Sequence, residues 1–89
     1  MPRFHSIGHR SGDLIYWICE AHRFEFTILE FQELIQAIQR RGLFTYLLKE
    51  RPALHAQLMD LARMAANDMD ESEIEFEFEQ NLLSLNNRL

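Results

Sequence analysis

Apolar positions recur at helical spacing through the middle of the chain. Ile28, Phe31, Ile35 and Ile38 fall on one face with Leu34 beside them, while Gln32, Glu33, Gln36 and Gln39 lie largely elsewhere. Thr27 and Glu30 stand at capping-box spacing, which satisfies two orphan N-terminal donors reciprocally. Arg40 and Arg41 suit the negative end of the helix dipole, and Gly42 suits the position just past the helix end. The pattern predicts a helix over 28–41. A second follows over 43–50, with Leu43, Phe44, Leu47 and Leu48 apolar. It must stop before Pro52, whose ring disfavours helical geometry at Arg51. Pro52 suits the first turn of a third helix over 53–66, striped by Leu54, Leu58, Leu61, Ala62 and Ala65. The predicted core is Phe31, Leu34, Ile35, Ile38, Leu47, Leu58 and Leu61.

The two ends are less regular. Residues 1–12 read as an irregular N-terminal arm, punctuated by Gly8 and Gly12. Asp13 suits the cap of a short helix over 14–22, although the same segment is rich in β-formers and a strand stays open. Residues 73–79 fit two periods. Ser72 and Glu75 repeat the capping-box spacing, and Ile74, Phe78, Leu82 and Leu85 make a helical stripe. Yet Ile74, Phe76 and Phe78 alternate with glutamates, as a strand would, and Phe24, Phe26 and Ile28 alternate in the same way. Caps and glutamates both favour helix. The expected fold is therefore all-α, a small bundle of four to five short helices in one domain over residues 1–89. The alternative is α+β, with a small sheet from residues 23–28 and 73–79.

Size and composition narrow the function classes. A chain of 89 residues buries only about 60% of its unfolded surface, so a partner subunit or a metal would help it. Cys19 is the only cysteine, which excludes an internal disulfide and points to a reducing compartment. No apolar run approaches a membrane span and no signal peptide is read, so a cytoplasmic protein is expected. The net charge of −5 is uneven. Asp68, Asp70, Glu71, Glu73, Glu75, Glu77 and Glu79 gather within residues 68–79 without a base, and bases outnumber acids elsewhere. Arg40, Arg41, Lys49 and Arg51 make only a weak basic cluster, so direct nucleic-acid binding is not expected.

Candidate chemistry is sparse. His5 and His9 are separated by three residues and Cys19 and His22 by two; all are residue types that zinc accepts, and four ligands make a closed structural site, but such spacings are common. Helices over 28–66 carry an apolar seam independent of them, so folding is expected without metal and no cofactor is expected. Cys19 with a histidine falls short of a catalytic dyad, which needs an orienting group and an oxyanion site. There is no phosphate loop or nucleophile elbow, and no enzyme activity is expected. The acidic segment can instead steer a basic partner. Glu73, Glu75, Glu77 and Glu79 are the candidate docking charges, with Phe76, Phe44 and Tyr46 as aromatic anchors.

One stretch carries a family resemblance. Residues 31–64 run from an apolar helix with Leu34 and Ile35 through an Arg41-Gly42 break. A Leu47-Leu48 helix follows, then Pro52 and a helix holding Leu54. This resembles the second half of bacterial effector-associated domains, small death-domain-like adaptors. The resemblance implies homotypic binding in a defence or signalling system and no catalytic residues. The expected function is a protein-interaction module or adaptor, binding a second copy of itself or a larger effector. The alternative is an acidic inhibitor of phage or plasmid type that blocks a nucleic-acid-binding machine.

Overall fold

Two tight turns fold the first third of the chain back on itself. The computed structural model describes residues 3–89. Strands β1 (Ser6–Ser11), β2 (Leu14–Cys19) and β3 (His22–Thr27) form an antiparallel sheet in the order β1-β2-β3. The fold is therefore α+β, and the all-α expectation is corrected. The segment expected as a helix over 14–22 is mostly strand β2, and half of the expected irregular arm is strand β1. The first two positions of that arm lie outside the described residues.

The physical reason lies in the turns. Gly12 turns the first hairpin with φ at 61°. Glu20 and Ala21 turn the second with φ at 50° and 73°, the paired positive values of a type I′ turn. That turn normally recruits Asn-Gly, so nothing in the local sequence announces it. Once the hairpins close, β2 alternates cleanly. Ile15, Trp17 and Cys19 are buried, while Leu14, Tyr16 and Ile18 point to the other face.

The helices cover one face of the sheet. Helix α1 (Ile28–Arg40) follows β3 directly and packs on β2 and β3. Its capping box is complete: Glu30 N–H donates to Thr27 Oγ1 at 3.1 Å, and Thr27 N–H donates to Glu30 Oε1 at 2.8 Å. Arg41 and Gly42 both donate to the Ala37 carbonyl at 2.9 Å, and Gly42 leaves the helix at φ 91°. Helices α2 (Leu43–Glu50) and α3 (Pro52–Ala65) follow, and α4 (Glu71–Arg88) packs on β1.

Residues 73–79 thus lie within a helix. Of the alternative sheet, residues 23–27 are extended, but Ile28 already opens α1, and β3 pairs with β2, not with 73–79. The cap of α4 is Asp70 with Glu73, two residues ahead of the Ser72 and Glu75 expected from spacing. Phe31, Leu34, Ile35, Leu47, Leu58 and Leu61 are buried, and Ile38 is half-buried against them. The sheet joins the same core. Phe4 stacks on Phe78 at 4.8 Å, and Trp17 meets Phe78 edge-on at 5.8 Å.

Candidate functional site

The acidic segment does most of its work inside the molecule. Glu75 Oε2 accepts the Phe44 N–H at 2.8 Å, and Glu79 Oε2 accepts the Leu43 N–H at 2.9 Å. Helix α2 starts on Gly42 and has no side-chain cap of its own, so these two carboxylates from α4 supply one. Glu73 closes the α4 capping box, and Glu77 Oε2 accepts the Arg3 N–H at 2.7 Å. Burial pushes the Glu79 carboxyl above its ordinary range against the Leu43 N–H, and the charge of Glu75 adds to the rise. Of the expected aromatic anchors, Phe44 and Tyr46 are only 4% and 6% exposed, so neither is free to anchor a partner. Phe76 is 59% exposed.

The His and Cys candidates do not converge. The Cys19 side chain points into the core, and His9 stacks on Tyr16 at 5.1 Å on the opposite face of the sheet. His5 lies beside the second turn, its N–H donating to Glu20 Oε1 at 2.7 Å. Among the described residues no three His, Cys, Asp or Glu side chains gather as a metal site. Burial pushes the Cys19 thiol up to about 12, with the Glu20 carboxylate contributing, so it is neutral and unreactive.

A different surface emerges at β3, which is an edge strand. A groove of about 630 Å³ runs between it and the start of α3, lined by Phe24, Phe26, Arg51, Pro52, Leu54 and Gln57 among others. The two-residue turn makes Cys19 and His22 a hydrogen-bonded pair, so Trp17–Phe24 and Ile15–Phe26 are bonded pairs as well. The N–H and C=O groups of Arg23 and Glu25 therefore point away from β2 into this groove's open side. No turn, cap or side-chain hydrogen bond among the described residues takes them. Their side chains lie on the uncovered sheet face. Arg23 pairs with Glu25 at 2.9 Å and sits 4.6 Å from the centre of the Tyr16 ring. Ile7, 62% exposed, and the half-buried Ile18 lie on the same face.

The sequence did show one signal here, the alternation of Phe24 and Phe26. That alternation predicts a strand but not an edge, because strand order is set by turns that the local sequence conceals. Comparison of the chain with known protein families, curated proteins and solved structures finds no match. Among the described residues no helix is long and apolar enough to cross a membrane.

Proposed function

We propose that this chain is a protein-interaction module, an adaptor without chemistry of its own, and that it binds by strand addition at β3. One observation carries the reading: an edge strand with outward N–H and C=O groups lies along a groove with apolar lining. Strand addition draws affinity from main-chain hydrogen bonds and specificity from pockets that take alternate side chains. Phe24, Pro52 and Leu54 offer such pockets. The contact surface thus moves from the acidic helix, whose glutamates cap and tether internal segments, to the sheet edge.

The test uses Glu25→Pro. Proline removes the outward N–H and no internal ladder bond, so the fold should stand. Immobilised full-length protein should capture its partner, and the variant should lose it. Equal capture by the variant would move the binding surface off β3.

A further inference from the structure

We infer that the strand added to β3 is β3 of a second copy of this chain, giving a two-fold dimer with a continuous six-stranded sheet. This rests on the strand-addition reading above and names the partner.

The case is one of register. Two antiparallel copies of β3 can exchange hydrogen bonds only through the residues whose N–H and C=O point outward, which include Arg23 and Glu25. Three two-fold registers are then open around the middle of the strand. A two-fold centred on Arg23 sets Arg23 against Arg23 of the second copy. One centred on Glu25 sets Glu25 against Glu25 of the second copy. Like charges directly opposite each other disfavour both.

The third register is centred on Phe24. It sets Arg23 opposite Glu25 of the second copy, and Glu25 opposite Arg23 of the second copy. Both are hydrogen-bonding pairs, and both are opposite charges. Arg23 and Glu25 already pair at 2.9 Å within one strand, so the dimer would join two such pairs into a cluster of alternating sign. On the inner face, the half-buried Phe24 meets Phe24 of the second copy. It flanks the groove, where an incoming strand would set its own inner-face side chains against Pro52 and Leu54. The segment Arg23-Phe24-Glu25 is thus complementary to itself in one antiparallel register, in charge and in aromatic character.

Sedimentation of the full chain across a concentration series tests this. The expected result is a monomer–dimer equilibrium. Arg23→Glu and Glu25→Arg, each alone, place like charges opposite and should weaken the dimer about tenfold. The double exchange Arg23→Glu with Glu25→Arg restores opposite charges across the axis and should recover the dimer. Glu25→Pro should give a monomer with an unchanged circular dichroism spectrum. Failure of the double exchange to recover the dimer would overturn the register. A monomer at every concentration would overturn self-pairing. If that monomer captures a different protein that Glu25→Pro loses, strand addition survives with another occupant. If it captures nothing, both readings fall.

Discussion

Residues 20 and 21 hold backbone angles that side chains rarely adopt. A left-handed conformation costs an L-residue roughly 1–2 kcal/mol, and this turn asks it of Glu20 and Ala21 together. Glu20 gains something in return, because its carboxylate and its N–H both bond to the His5 backbone. Ala21 has no such contact among the described residues. Ala21→Gly should therefore stabilise the protein by about 0.5–1 kcal/mol, read as a higher midpoint in urea unfolding. The opposite holds at Gly8, where a Cβ would sit 2.4 Å from Leu85 Cδ1 and 3.0 Å from the Tyr16 carbonyl. Gly8→Ala should cost about 1–3 kcal/mol, since Leu85 is buried and has little room to yield. Cys19 should resist thiol reagents in the native protein and react on unfolding. These residues also mark where the sequence was least legible. Gly8 reads as a break in an irregular arm, yet it is a position where β1 leaves no room for a Cβ beneath Leu85 of α4. Glu20-Ala21 carries no turn signal at all.

At the scale of elements, the helices were legible because their signals are local. The Thr27–Glu30 box, Gly42 and Pro52 each act within a few residues, and α1, α2 and α3 begin and end within a residue of the predicted limits. The sheet was not legible because pairing depends on turn geometry. The acidic alternation of α4 was legible as a pattern but not as a purpose, since its partners lie more than thirty residues away at Leu43 and Phe44. Glu75→Ala should leave the Phe44 N–H without its acceptor while Glu79 still holds Leu43, and cost about 0.5–2 kcal/mol; Glu75→Gln should cost less because its amide oxygen still accepts. Charge reversal at Glu75 would set a cation against a helix N-terminus, so it tests stability more than docking. Acid acts on α1. The Thr27 N–H, and after it Arg51, hold the Glu30 carboxyl below its ordinary range. Glu30 therefore stabilises the fold above the ordinary glutamate range, and that contribution is lost as pH falls below that range and through the lowered folded-state value. Glu79, shifted upward by burial, has the opposite sign: its contribution is fullest at low pH and fades as pH rises. Urea midpoints across the acid range should flatten in Glu30→Gln and steepen in Glu79→Gln.

For the whole molecule, one core joins both layers. Leu58 of α3 is buried in the same cluster as Trp17 of β2 and Phe78 of α4. Leu58→Ala should cost about 2–5 kcal/mol in chemical unfolding. A single cooperative transition followed by both Trp17 fluorescence and helical circular dichroism would show the sheet and helices melting together. The capping of α2 by α4 bears on how the chain folds as it is made. Domains acquire structure from the N-terminus as the ribosome extends the chain. The sheet and α1 can close early, because their hydrogen bonds and caps run no further along the chain than Gly42. Helix α2 cannot settle its start until Glu75 and Glu79 have emerged, more than thirty residues later. A nascent chain arrested before residue 75 should present a formed sheet edge while α2 still frays at its first turn. Pulse proteolysis of such arrested chains should cut near Leu43 and Phe44, and extension past Glu79 should close that site.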